Sequence, residues 1–279
     1  PRCSAEFLPT PTREILMPRF AANISMMFPE YDMKDRFKAA ADAGFQAIEI
    51  LQPYSLTTDE LNRGLEDNDL QWILMNTPMG DAARGDRGLA AIPGRQDAFN
   101  RCFDQALMYA KACHVPMIHF MAGVVPDDTD ESTCLRTFEE NLANAADVAG
   151  ESGIQLLLEP LNGQDVPGYL IQGTARARDI ISSVNRANVR LQYDFYHLQI
   201  MQGNLAAGLK ECWDVIGHIQ FSSLPGRHEP QYGEVNMPHL FGVLDELGYT
   251  GWVGCEYRPK EATWNGLRWG AFYGLGLNS

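Results

Sequence analysis

The sequence predicts an α/β chain closed into a single-domain (β/α)8 barrel of parallel strands. Eight short apolar runs alternate strictly with amphipathic stretches. Strict alternation implies a parallel sheet with helical crossovers, and eight repeats imply closure. The 279 residues and 45% hydrophobic content supply enough core for one domain of this size. The turn after the first run, ANISMMFPEY, lacks the glycine-rich phosphate loop that a doubly wound open sheet would carry there.

The strands are expected near residues 19–24, 46–51, 71–76, 116–121, 154–159, 189–194, 216–221 and 251–256. After the first comes MKDRFKAAADAG, whose apolar residues recur at three and four positions, the period of a helix with one buried face; Gly44 ends it. TTDELNRGLEDND follows the second strand, with Thr57, Thr58 and Asp59 as its start signal. The third strand leads into the longest irregular stretch, residues 76–95, with glycines at 80, 85, 88 and 94. A loop of this length at a barrel mouth is either a substrate-covering lid or a surface insertion. The helical patterns QDAFNRCFDQALMYAKACH, STCLRTFEENLANAADVAGESG and TARARDIISSVNR then precede strands four, five and six, the second of them stopped at Gly153. Residues 1–16 fit no part of the pattern and are expected to be a poorly ordered extension to a barrel at 17–279; Glu6 and Glu14 weaken a transit-peptide reading.

Charge and composition exclude several functions. A net charge of -14, with no run of basic residues longer than two, argues against a nucleic-acid or anionic-membrane partner. No stretch approaches 18 consecutive apolar residues, so no membrane span is expected. The six cysteines are scattered without a CxxC pair, which suits a reducing, cytoplasmic setting.

Four polar residues sit at or beside the ends of apolar runs: Glu159 after IQLLL, Asp194 in VRLQYD, Gln220 in VIGHIQ and Glu256 in WVGCE. Their spacings of 35, 26 and 36 residues approximate one strand-helix unit, so all four converge at one barrel mouth. Taken singly, each is as readily a solvated carboxylate or a turn cap. Jointly, two glutamates, an aspartate and an amide oxygen make a pocket for a hard divalent cation, with carboxylates left to move protons. This donor set suits magnesium or manganese, whereas zinc recruits His or Cys.

His197, in DFYH, leaves the same mouth and either touches substrate, supports a ligand or packs. Arg227, in LPGRHEP, has the planar fork that suits a substrate carboxylate, against the alternative of a surface salt bridge. Glu49, Asn76 and His119 end or line strands two, three and four as further substrate-binding candidates. Cys255 is expected to point away from the pocket by strand alternation.

The segments ANISMMFPEYD, NTPMGD, RGLAAIPGR, MAGVVP, LLLEPLN, QYDFYH, HLQIMQGN, GHIQFSSLPGRHEP and GWVGCEYRP, in this order from residue 18 to about 273, resemble the hydroxypyruvate isomerases of the xylose isomerase-like TIM barrel superfamily. The resemblance implies an enzyme interconverting hydroxypyruvate and tartronate semialdehyde. It implies a divalent metal, usually Mg2+ with Mn2+ as the alternative, held by Glu159, Asp194, Gln220 and Glu256, with Glu159 and Glu256 as the acid/base pair. The expected partner is a small 2-oxo or hydroxy acid, and a homo-oligomer is allowed. Gln220 stands where the wider superfamily often has His, which favours this branch over sugar epimerases. A 2-oxo-tetronate isomerase, a ketose 3-epimerase and a non-catalytic sugar-acid sensor are the alternatives.

Overall fold

The computed structural model describes residues 18–277, so the extension at 1–16 and its expected disorder lie outside the described residues. In chain order the elements are β1 (Arg19–Asn23), α1 (Arg36–Asp42), β2 (Ala47–Glu49), α2 (Thr58–Glu66), β3 (Gln71–Asn76), α3 (Gln96–Ala112), β4 (Met117–His119), α4 (Glu131–Gly150), β5 (Gln155–Leu158), α5 (Gly173–Val184), β6 (Val189–Asp194), α6 (Phe195–Met201), α7 (Leu205–Cys212), β7 (Ile216–Phe221), α8 (Met237–Leu247), β8 (Trp252–Cys255) and α9 (Thr263–Gly266). All eight strands are parallel and pair in sequence order. Closure runs through β1, where Ala21 faces Ala47 of β2 on one side and Gly254 of β8 on the other. Every strand therefore ends at the same mouth, the face on which barrels of this kind place their chemistry.

Local signals set the element ends. Thr57 caps α2 by accepting from the Glu60 backbone N–H, and the Glu60 side chain accepts from the Thr57 N–H in return, a reciprocal capping box. Asp130 opens α4 in the same way, accepting from Thr133 N. The helices lay their apolar faces on the barrel wall, and Phe99, Phe103, Phe120 and Phe138 interlock there. A smaller cluster of Ala21, Ala47, Ile73, Leu74 and Leu157 forms a second apolar group among strand residues. Cys255 is fully buried in the larger cluster, on the side away from the pocket. No helix among the described residues is long and apolar enough to cross a membrane.

Two details differ from the simple alternation. The segment between β6 and β7 holds two helices, α6 starting directly at the strand end and α7 following a break at residues 202–204. The loop after β3 is stitched down over its second half. Gly88 bridges to Ala122, Ala91 N donates to Ala122 O at 2.8 Å, and Asn141 Nδ2 donates to Ala90 O at 2.7 Å. Gly88 has a φ of 108°, and a Cβ there would lie 2.3 Å from Met121 O, so no other residue fits. Leu89, Ala90 and Ala91 are buried, which limits any lid to the exposed stretch at 80–85.

Candidate active site

Four strand ends deliver the acidic cluster. Glu159 and Glu256 directly follow β5 and β8, Asp194 closes β6, and Gln220 lies in β7 in register with Asp194. The carboxylates are deeply buried, at 5% exposure for Glu159, 1% for Asp194 and 6% for Glu256, and Gln220 is fully enclosed. Burying charge this completely is costly unless partners or ions compensate.

One guanidinium stands among them. Arg227 Nη2 lies 2.7 Å from Glu256 Oε2 and 3.6 Å from Asp194 Oδ2, and its Cζ is 4.8 Å from the centre of the Tyr196 ring. Arg227 has a positive φ of 56°, an uncommon backbone state for a side chain of its size and one that persists where the surroundings enforce it. Asp194 divides its oxygens between fold and site. Oδ1 caps α6 by accepting from Tyr196 N at 2.9 Å, so the turn-capping role and the site role coexist, and Oδ2 has no hydrogen-bond donor. Glu159 Oε1 also has none.

His197 closes the cluster, with Nε2 at 3.7 Å from Asp194 Oδ2 and 3.9 Å from Glu159 Oε1. The backbone N–H of Asn162 donates to His197 Nδ1 at 3.1 Å, and a backbone N–H cannot act as an acceptor. The imidazole proton of the neutral ring therefore sits on Nε2, and His197 presents a donor to the pocket. Although its position beside Glu159 and Asp194 places it within reach of a shared cation, this tautomer offers no lone pair there. His119 Nδ1 is 3.1 Å from Glu159 Oε2, without the alignment of a hydrogen bond. Asn76 is in register with His119, and its Oδ1 is unpartnered.

Burial sets the protonation states. Desolvation, then Glu256 and Asp194, push Glu159 well above the usual carboxylate range. Desolvation raises Glu256 from 4.5 to about 8 against the opposing pull of Arg227, and raises Asp194 from 3.8 to about 6. Burial lowers His119 from 6.5 to about 3 and holds His197 well below its usual value. A carboxylate whose folded pKa is raised contributes stability fully below its unfolded pKa and loses it as pH rises through the folded value. A buried neutral histidine does the reverse, losing its contribution as pH falls below 6.5. Between pH 6.5 and about 8 only the carboxylate slope remains, so the urea midpoint of metal-free protein is expected to fall across that window. A flat or rising midpoint between pH 6.5 and 8.5 would contradict this electrostatic description.

The donor set fits a hard cation. Glu159 Oε1 and Asp194 Oδ2 are buried oxygens without donors, which is what a cation would satisfy. Gln220 Oε1 accepts one hydrogen bond, from Gln192 Nε2, and keeps a second lone pair.

Glu49, an expected substrate contact, is engaged with three protein side chains. It is fully buried, and both carboxylate oxygens are taken: Oε1 lies 2.6 Å from His218 Nε2, while Oε2 accepts from Asn23 Nδ2 and Gln220 Nε2. The other candidates, His197, Arg227, Asn76 and His119, all lie at or beside the acidic cluster or line the same strand ends.

Sequence reasoning missed Asn162, Tyr196, Gln192, His218 and Asn23. For Gln192 and His218 a signal existed: each lies two positions before a site residue on the same strand, so alternation puts it on the same inward face. Asn162 lies in the loop after β5 and Tyr196 in α6, where strand periodicity carries no information.

Comparison with known proteins adds four findings. The family described as xylose isomerase-like TIM barrel matches residues 37–271. A 2-oxo-tetronate isomerase of Cupriavidus necator is 48% identical over 253 residues, 91% of this chain and 97% of that protein. A hydroxypyruvate isomerase of Escherichia coli is 42% identical over 253 residues, 91% of this chain and 98% of that protein. A crystal structure described as an AP endonuclease, family 2, from Brucella melitensis superposes with a TM-score of 0.90 at 46% identity, covering 92% of this chain and 99% of that one.

Proposed function

The chain belongs to the xylose isomerase-like TIM barrel family, and on that premise we propose that it is an isomerase interconverting hydroxypyruvate and tartronate semialdehyde. The observation that carries this reading is the buried pair Glu159 and Glu256, both raised in pKa, around a pocket that also offers Arg227 and the Nε2–H of His197. Two proton-carrying carboxylates, a cation for an acid group and a donor for an oxyanion are the parts that a carbonyl shift between adjacent carbons requires.

In the forward direction one glutamate removes a C3–H proton from hydroxypyruvate, giving an enediolate across C2 and C3. The other delivers a proton to C2, and the hydroxyl proton moves from the C3 oxygen to the C2 oxygen, leaving an aldehyde at C3. Atoms and charge balance without any external oxidant. Arg227 is suited to the substrate carboxylate, since its guanidinium already bridges Asp194 and Glu256 within the pocket. His197 donates to a developing oxyanion from Nε2, and burial of the whole site keeps water from competing. A divalent cation, Mg2+ or Mn2+, held by Glu159, Asp194, Gln220 and Glu256, would polarise the carbonyl and offset enediolate charge.

A second reading has its own observation. The relative at 48% identity is a 2-oxo-tetronate isomerase, above the 42% of the hydroxypyruvate isomerase. The same shift between C2 and C3 on an acid one carbon longer would use the same residues. Nucleic-acid hydrolysis, suggested by the description of the Brucella structure, is opposed by the net charge of -14. The five cysteines described in the structure are all unpaired, which supports a reducing, cytoplasmic setting.

Incubation with hydroxypyruvate and Mg2+ in heavy water, followed by NMR, tests the reading. Deuterium is expected to enter at C3, with aldehyde product appearing. The same exchange on a four-carbon 2-oxo acid at higher kcat/KM would move the assignment to the second reading. Exchange confined to ketohexoses, or binding with no exchange on any substrate, would overturn both.

A further inference from the structure

Behind the acidic cluster lies a chain of polar side chains that begins at Gln220, the register partner of Asp194. Gln192 Nε2 donates to Gln220 Oε1, and Gln220 Nε2 donates to Glu49 Oε2 at 2.8 Å. Glu49 also receives Asn23 Nδ2 at 3.0 Å and meets His218 Nε2 at 2.6 Å. All five residues are essentially sealed from solvent. Space for the Glu49 carboxylate exists because residue 254 is glycine: a Cβ there would lie 2.1 Å from Glu49 Oε1.

A carboxamide has two ends of nearly equal size, and only its hydrogen bonds decide which end faces which way. Glu49 Oε2 accepts from both Asn23 Nδ2 and Gln220 Nε2, so the end of Gln220 that meets Glu49 is the NH2. The oxygen is then forced toward Gln192, on the strand that carries Asp194, the register partner of Gln220. His218 and Asn23 hold Glu49 in turn, which locks the choice.

We infer that Glu49, braced by His218, Asn23 and the glycine at 254, is a positioning residue that fixes the amide orientation of Gln220 and so makes it an oxygen donor to a cation. The inference rests on the proposed metal role of Gln220 and extends it to a buried carboxylate that touches neither substrate nor cation. A carboxyl group spent in this way explains why an acidic residue is kept in the barrel interior, where orienting a ligand through an outer partner is a recurrent device.

The test is a double-mutant cycle on Mn2+ affinity, measured by calorimetry on the full chain without substrate. Glu49→Gln is expected to weaken Mn2+ binding by roughly 10- to 100-fold in the otherwise unchanged protein. In the Gln220→Ala background the same change is expected to cost less than about twofold, because the residue through which it acts is gone. Equal weakening in both backgrounds would overturn the inference, since a long-range loss of negative charge acts without Gln220; so would no weakening at all. Unchanged Mn2+ affinity in Gln220→Ala alone would remove Gln220 from the cation site, a separate failure that takes this inference with it. Should Glu49→Gln fail to fold, Glu49→Asp keeps the charge but withdraws it from Gln220 Nε2, and the same pair of outcomes decides.

Discussion

Glu159→Gln and Glu256→Gln are each expected to lower kcat for isomerisation by roughly 10³-fold, the usual scale for losing a positioned proton carrier. The substitution keeps side-chain shape and hydrogen-bonding reach but cannot carry a proton, so chemistry fails while the barrel stands. Both carboxylates are raised in pKa by burial, and replacing either with a neutral amide removes a buried ionisable group. The metal-free melting temperature is therefore expected to hold or rise in Glu159→Gln, which separates lost chemistry from lost fold there, whereas Glu256→Gln also gives up its ion pair with Arg227 and is expected to melt lower. Deuterium exchange then divides the labour between them. The variant lacking the base loses exchange at C3, whereas the variant lacking only the acid still exchanges C3 while forming product slowly. Full activity in Glu159→Gln would sink the assignment of the proton-transfer pair.

Removal of divalent ions is the second large effect. Chelation is expected to abolish turnover, with Mg2+ or Mn2+ restoring it, because the one guanidinium among the buried carboxylates pairs with Asp194 and Glu256 only, and Glu159 Oε1 and Asp194 Oδ2 have no hydrogen-bond donors. The readout independent of activity is thermal. At a concentration 100 times its Kd, a ligand of the folded state stabilises by about 2.7 kcal/mol, which for a chain of this size raises Tm by on the order of 5 to 10 °C. Asp194→Asn is expected to remove most of that rise, since it neutralises the most deeply buried of the three carboxylates while still able to cap α6 through its side-chain oxygen. Full activity of protein carrying less than stoichiometric metal would contradict the metal-assisted reading.

Much of the barrel was legible in the chain because its signals are local. Alternating apolar runs and helical periods depend only on neighbours a few residues apart, and the capping box at Thr57 and Glu60 lies within one turn. The strand-end residues were equally legible. In a parallel closed sheet every strand stops at the same mouth, so Glu159, Asp194, Gln220 and Glu256 converge once strand ends and topology are known. The fate of Glu49 was not legible. Its three partners come from β1 and β7, as far as 171 residues away, and its room comes from the missing side chain at Gly254. Which part of the loop at 76–95 is pinned was likewise not legible, because the contacts that hold residues 88–91 come from Ala122 and Asn141.

Sequence by itself determined which elements form, their order and the four strand ends that meet, since periodicity and turn chemistry act over short range and parallel closure leaves little freedom. Tertiary structure alone decided what each polar group spends itself on. Arg227 lies between Asp194 and Glu256, the His197 proton sits on Nε2, and the amide of Gln220 is turned by Glu49. Hydrogen-bond donors and acceptors in a buried site are allotted by whichever groups arrive from across the barrel, and that allotment is a property of three-dimensional neighbours, which no window along the chain contains.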